Sequence, residues 1–348
     1  MPATPESHSA RYFALLFASA TERPALESLF GIEHEVFDSL RAGLDHHVAH
    51  SRLQWWREEC ERAANGRPVH PLTKGLAVAL NAVAAINGGA VTSSVPLPAS
   101  VAAAPGGRPT AVSAPLEPAP FASTSSAASS SAASLSAASL SSDIVAQPPA
   151  VGLPGLAGLC GIVDVAVWDL AGATFETRRE LDAYCERWAT GMIEPLVAPP
   201  PASTTSVTRT ADWRALGAAM REVELLAELA REAHYGRIRV PLDELERANV
   251  DTSALAKPPW PDPVTEQLRA RHKSLRNNIS RILIDVDREK QPSLRGLLVW
   301  AALTWRSSQR AERALPERLR PKRYDAISDA WFAWRIARRA TIGQFRLN

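Results

Sequence analysis

The feature that most constrains the fold is the spacing of apolar residues, which recur every three or four positions along most of the chain. This spacing places apolar side chains on one face of an α-helix, whereas a half-buried strand would need strict alternation. The only strand-like piece, Ile238-Arg239-Val240, is ended by Pro241. The periodic segments are 11–20, 33–64, 71–86, 177–196, 211–234, 262–285, 293–314 and 328–341. The sequence therefore predicts an all-α fold in which long helices form one bundle.

A low-complexity segment at 87–158 interrupts this helical pattern. Pro, Ala, Ser and Gly dominate it, and residues 125–142 contain only Ser, Ala and Leu. Such a segment cannot bury enough apolar surface to offset its ordering entropy, so we expect a disordered insert. The predicted organisation is therefore one bundle built from residues 1–86 and 159–348, with the insert between its two parts.

Composition excludes several classes of protein. The 348 residues are 46% hydrophobic and carry a formal net charge of +2, which argues against general nucleic-acid binding. Cys60, Cys160 and Cys185 are too few and too widely spaced to predict a disulfide framework or a zinc site. The N-terminus does not read as a secretory signal, and no run of about 18 apolar residues predicts a transmembrane helix. We therefore expect a cytoplasmic protein.

Four segments, in this order, resemble the squalene/phytoene synthase family. They are Ser51–Glu59 followed by Gly66 and His70-Pro71, Glu180–Glu186, Leu216–Met220 followed by Gly236–Pro241, and the C-terminal helix pair 292–314 and 328–340. The string Arg52-Leu53-Gln54-Trp55-Trp56-Arg57-Glu58 points to a branch that includes mitochondrial complex I assembly factors and their bacterial relatives. The resemblance implies an isoprenoid-synthase-like helical bundle.

The resemblance also implies a particular chemistry. Active members of the family join two prenyl diphosphates head to head, and magnesium ions neutralise the departing diphosphate. Two facing helices supply the carboxylates that hold these ions, and spacings of three or four residues place the carboxylates on one helix face.

The first of these acidic motifs is degenerate in this chain. The family's Asp-Asp-x-x-Asp falls on Phe37–Arg41, where Asp38 is the surviving carboxylate. Arg41 adds a positive charge where the ion should lie, although Glu33 and Glu35 lie one turn earlier. We therefore expect the first half of the metal site to be lost.

The second acidic motif keeps its spacing. The family's Asp-x-x-x-Asp falls on Glu228 and Glu232, with Glu at both positions. The resemblance makes these two residues the candidate magnesium ligands, and it assigns a vestigial diphosphate and metal region to Asp38, Arg52, Tyr184, Glu228, Glu232 and Arg237. The other interpretation is a solvated acidic helix face formed by Glu224, Glu228 and Glu232 and balanced by Arg221 and Arg231.

A histidine cluster follows Asp45. His46 and His50, with His47 between them, share a helix face and could bind zinc with a third ligand, but no such ligand is evident. A polar helix face is the favoured interpretation.

The C-terminal helix also has two interpretations. Trp331 and Trp334 lie beside Arg335, Arg338 and Arg339. These tryptophans predict either core packing or contact between a basic amphipathic helix and an anionic membrane.

Two functions follow from these observations. The first is a non-catalytic binding or assembly factor, for which we expect no cofactor. Its expected partner is a membrane-complex subunit or a lipid, at the inner face of the membrane. The second is a divergent magnesium-dependent prenyltransferase that acts on prenyl diphosphates. The degenerate first motif favours the first.

Overall fold

A computed structural model describes residues 5, 8–41, 43–89, 154–197, 211–319 and 325–347. Within these ranges the chain forms α-helices, two short 3-10 turns and no strand, so the predicted all-α fold is confirmed. The helices are α1 (Ala10–Phe17), α2 (Arg23–Asp38), α3 (His46–Ala64), α4 (Pro71–Gly89), α5 (Cys160–Leu170), α6 (Arg178–Met192), α7 (Glu194–Val197), α8 (Trp213–Ala227), α9 (Leu229–His234), α10 (Leu242–Arg247), α11 (Asp262–Ile284), α12 (Arg295–Ala314) and α13 (Asp325–Thr341).

The helix predicted over 33–64 is two helices. α2 ends at Asp38 and α3 begins at His46, with Gly43 between them at a φ of 88°. The side chain of Asp45 accepts hydrogen bonds from the backbone N–H groups of His47 at 2.8 Å and Val48 at 3.4 Å. Because this N-cap satisfies donors that a new helix leaves free, it fixes the start of α3.

Two further helices differ from the predictions. The segment predicted as one helix over 211–234 divides at Glu228, which lies between α8 and α9. The second is α5, which the spacing of apolar residues does not predict. This helix is buried on most sides, with Ile162, Val163 and Val165 fully buried. A helix that is apolar all round lacks the contrast between faces on which periodicity depends.

The core is built around α6, α8 and α12. Leu297 to Ala302 on α12 are all fully buried, as are Tyr184 and Trp188 on α6. Gly217 lets α8 approach α6 closely, since a Cβ atom at this position would lie 2.6 Å from the Cβ of Ala189. This packing brings polar side chains from several helices into the interior.

The predicted insert at 87–158 lies mostly outside the described residues. The described structure enters this range at both ends, because α4 extends to Gly89 and Pro154–Leu156 form a 3-10 turn whose Leu156 is fully buried. The Pro-rich break at 197–206 is described at Val197 alone. In the ranges that the structure covers, no helix combines the length and apolarity needed to cross a membrane.

Candidate functional site

A series of charged side chains runs through the interior and begins at Arg11 on α1. One terminal nitrogen of Arg11 pairs with Glu33 on α2, and the other lies 3.1 Å from Glu33 Oε1 and 3.0 Å from Glu224 Oε2 on α8. Trp188 Nε1 on α6 also donates to Glu33 Oε1 at 2.9 Å. Burial lowers the pKa of Arg11, but Glu224 and Glu33 more than offset this effect and hold the pKa above its ordinary value. Arg11 therefore stays charged between two carboxylates.

Arg221 on α8 extends the series to α5 and α6. It donates to Glu224 Oε2 at 3.2 Å and to Tyr184 Oη at 3.2 Å. The Tyr184 hydroxyl donates in turn to the Asp169 carboxylate, whose oxygens lie 3.1 and 3.2 Å away. Burial raises the pKa of Tyr184 to about 12, so the phenol is neutral and can donate this hydrogen bond.

Arg239 carries the series from α5 to α9. It lies 2.7 Å from Asp169 Oδ1 and 3.4 Å from Glu232 Oε2, and it is almost fully buried. Arg237 donates hydrogen bonds to both carboxylate oxygens of Glu232, at 2.7 and 3.0 Å. Burial raises the pKa of Glu232, but the hydrogen bond from Arg237 and the charges of Arg237 and Arg239 outweigh it and hold the pKa below its ordinary value.

We call these nine side chains the interior ion-pair chain. Its members are Arg11, Glu33, Glu224, Arg221, Tyr184, Asp169, Arg239, Glu232 and Arg237. Four arginines face four carboxylates, so the charges within the chain balance. Buried charges are tolerated when they are paired in this way.

The structure places three of the predicted site residues in this chain, namely Tyr184, Glu232 and Arg237. Glu228 lies outside it, is partly exposed and pairs with Arg231 at 3.1 Å. The prediction of a solvated face over Glu224, Glu228 and Glu232 is therefore wrong for Glu232, which is buried, whereas Glu224 is partly exposed and pairs with Arg11 and Arg221. It fails because the division at Glu228 separates the two helices and because arginines reach the inward carboxylates.

The remaining predicted residues, Asp38 and Arg52, contact each other at a different place. Arg52 lies 3.4 Å from Asp38, and Arg41 lies 3.6 Å from the same carboxylate, with all three side chains partly exposed. Among the described residues, no hydrogen bond or ion pair joins Asp38 or Arg52 to Glu228 or Glu232. The Arg41 charge that was expected to oppose metal binding does lie beside Asp38.

Sequence reasoning missed the roles of Arg11, Asp169 and Arg239. Arg239 carried a signal, because a charged residue between Ile238 and Val240 interrupts an apolar piece. Arg11 carried none, because its partners lie 22 and 213 positions away in the sequence.

The family's use of magnesium can be compared with this arrangement. Magnesium requires nearly octahedral oxygen ligands, but both oxygens of Glu33, Glu224 and Glu232 accept from Arg or Trp donors. Among the described residues, no group of three or more His, Cys, Asp or Glu side chains could hold a metal ion. The residues present therefore do not fit a magnesium cluster, and magnesium ligation by Glu228 and Glu232 gains no support. The histidines of α3 (His46, His47 and His50) are exposed, as expected of a polar helix face.

Large aromatic side chains fill the interior beside the ion-pair chain. Trp300 packs edge-to-face against Phe30 at 5.1 Å and Trp188 at 5.8 Å between ring centroids. The guanidinium of Arg11 lies 5.4 to 5.9 Å from all three rings. Two cavities, one beside His272 and one beside Arg178, each hold about 10 Å³, which is room for about one water molecule. Neither of these two cavities has room for a prenyl chain.

The arrangement of helices defines the class of this protein, which is the isoprenoid-synthase fold. The chain is similar to a dehydrosqualene synthase, with 12% identity and a TM-score of 0.58 over 94% of this chain and 90% of that one. It is also similar to squalene synthase HpnC from Alicyclobacillus acidocaldarius, with 14% identity and a TM-score of 0.52 over 86% of this chain and 87% of that one. At such low identities these likenesses show the fold alone.

The family follows from the sequence match. Residues 157–325 match the model of the family described as squalene/phytoene synthase, and the matched range contains Tyr184, Glu232 and Arg237. Comparison with curated protein sequences finds no match. This match supports membership of the chain in the squalene/phytoene synthase superfamily.

Proposed function

We propose that this chain is a non-catalytic member of its family that uses the helical bundle to bind a partner. The interior ion-pair chain is the observation that supports this proposal. Its carboxylates Glu33, Glu224 and Glu232 neutralise arginines, so they are not free to hold the magnesium ions that ionisation of a prenyl diphosphate requires. The aromatic packing around Trp188 and Trp300 supports the same conclusion, because it occupies interior space that a substrate would need.

The resemblance of Arg52–Glu58 to complex I assembly factors suggests the kind of partner. We infer that it is a subunit of a membrane respiratory complex, with a lipid as the other possibility, and that the protein acts in the cytoplasm at the inner face of the membrane. Trp56 is buried against the bundle, whereas Trp55 is exposed on α3. The segment therefore contributes to both the core and an accessible surface. This assignment rests on analogy with the family branch.

Pyrophosphate release from farnesyl and geranylgeranyl diphosphate, with and without magnesium, tests the absence of catalysis. We expect no release above a protein-free blank from protein that circular dichroism shows to be helical. Glu228→Gln is a suitable matched variant, because it alters a partly exposed carboxylate outside the ion-pair chain. Magnesium-dependent turnover that Glu228→Gln or the double change Glu228→Ala/Glu232→Ala abolishes, in protein that remains folded, would overturn the proposal.

The second candidate function is a divergent magnesium-dependent prenyltransferase of the squalene/phytoene type. Its support is the gathering of Arg221, Arg237 and Arg239, since guanidinium groups donate bidentate hydrogen bonds to phosphate oxygens. For this function the three arginines would have to release their carboxylate partners and bind diphosphate instead. Glu228 and Glu232 would then have to bind magnesium. The same release assay separates this function from the first.

A further inference from the structure

The C-terminal helix α13 is apolar on two opposite faces. Its inner face presents Ala333, Ile336, Ala337 and Ala340, which are buried in the bundle. A surface helix of a globular protein normally shows one such face, with polar residues opposite. The second apolar face of α13 therefore calls for an explanation.

The outer face carries Ile327, Trp331 and Trp334, and Ile342 continues it just past the end of the helix. Their exposed fractions are 71%, 60%, 39% and 62%, respectively. The spacings of four, three and eight residues place the four side chains along one line. The Trp331 and Trp334 rings stack on each other with centroids 4.9 Å apart and an interplanar angle of 24°. We call these four residues the outer stripe.

Arginines accompany the outer stripe. The guanidinium of Arg338 lies 5.5 Å from the Trp334 ring centroid, and Arg335 and Arg339 lie along one side of the stripe. No carboxylate of the described residues forms an ion pair with these three arginines. By contrast, Asp329, on the inner side of α13, pairs with Arg310 and lies 3.5 Å from Arg306 of α12. Asp329 thus faces inward, and the outer surface carries the positive charge of the three arginines, none of which forms an ion pair within the described part of the chain.

We propose that the outer stripe of α13 rests on an anionic lipid surface. Trp and Ile side chains fit the boundary between headgroups and acyl chains, because the tryptophan ring is apolar in body and carries a polar N–H. Arginines beside them reach the lipid phosphates, while their aliphatic stems cover apolar area. The charge of the three arginines selects an anionic membrane over a neutral one. This inference goes beyond the proposed function, since it holds whether or not the chain is catalytic.

Co-sedimentation of the full chain with lipid vesicles tests the inference. We expect binding to vesicles of phosphatidylglycerol and phosphatidylcholine, weak binding to phosphatidylcholine alone, and release by salt. Trp331→Ser/Trp334→Ser should abolish binding. Arg338→Gln/Arg339→Gln should lower it by about twenty-fivefold, because each basic residue near an anionic surface contributes about fivefold.

Tyr235→Ser is the matched control, because Tyr235 is an exposed aromatic residue that lies outside α13. It should bind vesicles as tightly as the unchanged chain. Circular dichroism should show that all variants keep their helices, since every altered side chain except Arg339 is exposed.

Three outcomes would overturn the inference. One is the absence of binding to the anionic vesicles, and another is equal binding to both kinds of vesicle. The third is binding that survives loss of both tryptophans. If vesicles do not bind and Trp331→Ser/Trp334→Ser instead converts a dimer to a monomer in analytical ultracentrifugation, the outer stripe is a contact between two copies of this chain.

Discussion

At the scale of single residues, the arginines are what separates this interior from a magnesium site. Arg11, Arg221 and Arg239 each bridge two acceptors on different helices. A guanidinium presents five donors in a fixed fork, so it can replace an ion as the bridge between carboxylates. Each carboxylate that such a bridge engages is lost to metal binding, which links the contacts of individual residues to the proposed loss of catalysis.

The first prediction concerns Glu33. Glu33→Gln should destabilise the protein by about 3 kcal/mol, because it removes one of the two negative charges that neutralise the Arg11 guanidinium. Glu224 remains to pair with Arg11, which keeps the loss at the low end of the range for broken buried pairs. Urea unfolding followed by circular dichroism measures the change. Asp38→Asn, which alters a partly exposed pair with Arg52, should cost less than about 1 kcal/mol. If Glu33→Gln and Asp38→Asn lowered the free energy of unfolding equally, the Arg11–Glu33 pair would contribute no more than an exposed pair.

The second prediction concerns His272, which is buried 2.9 Å from the Ser308 hydroxyl. Burial lowers its pKa from 6.5 to about 4, and the charge of Arg276 acts in the same direction. Between these two values the unfolded chain binds a proton that the folded chain does not, so this residue makes stability fall as pH falls from about 6.5 to 4. Each pKa unit corresponds to about 1.4 kcal/mol, so the full effect is a few kcal/mol.

Unfolding free energies at several pH values test this prediction. His272→Gln should be less stable than the unchanged chain at pH 7, and the difference should shrink or reverse towards pH 4. His46→Gln, which alters an exposed histidine on α3, should keep the pH profile of the unchanged chain. A constant difference between His272→Gln and the unchanged chain across this window would contradict the assignment.

At the scale of helices, close packing depends on glycines where α5 crosses α6. A Cβ atom at Gly161 would collide with the carbonyl oxygen of Arg187, which is backbone and cannot rotate away. The neighbouring contact is also close, since a Cβ at Gly191 would lie 3.0 Å from the backbone nitrogen of Ile162. The two helices are therefore held at a separation that a side chain on either would increase.

The third prediction follows from this crossing. Gly161→Ala should destabilise the protein by about 1 to 3 kcal/mol, the usual cost of overpacking, despite the better helix propensity of Ala. Gly75→Ala in α4 is the matched control, because its Cβ would meet only the Ser28 hydroxyl at 3.1 Å. Thermal unfolding should show a lower Tm for Gly161→Ala and little change for Gly75→Ala. The same Tm for both variants would mean that α5 can move away from α6 without cost.

The helices also show what periodicity can and cannot predict. The bounds predicted for the long amphipathic helices α4, α11 and α12 lie within a few residues of the observed ones. This agreement arises because one face of each helix is buried and the other faces solvent. The division at Gly43 and Asp45 was not predicted, although Asp is a preferred N-cap. α5 was missed because burial on nearly all sides removes the pattern. Local sequence therefore identifies faces better than it identifies breaks or fully buried segments.

At the scale of the whole molecule, the resemblance predicted the class of fold, and the match over residues 157–325 agrees with it. The candidate site was predicted only in part. Tyr184, Glu232 and Arg237 do belong to one network, in which Asp169 and Arg239 link Tyr184 to Glu232. The partners that neutralise them come from distant parts of the chain, and no local pattern indicates that Arg11 would lie between Glu33 and Glu224.

The interior ion-pair chain also has a consequence for how this sequence can evolve. Because Arg11, Arg221 and Arg239 are each shared between two members, a substitution that freed one of their carboxylates would leave a positive charge less well paired and weaken the fold. Restoring a metal centre would thus require several simultaneous replacements, each harmful when it occurs alone. Selection acting on one mutation at a time would remove every intermediate. Under the proposed non-catalytic function, these ion pairs would make the loss of prenyltransferase chemistry a one-way step that folding stability holds in place.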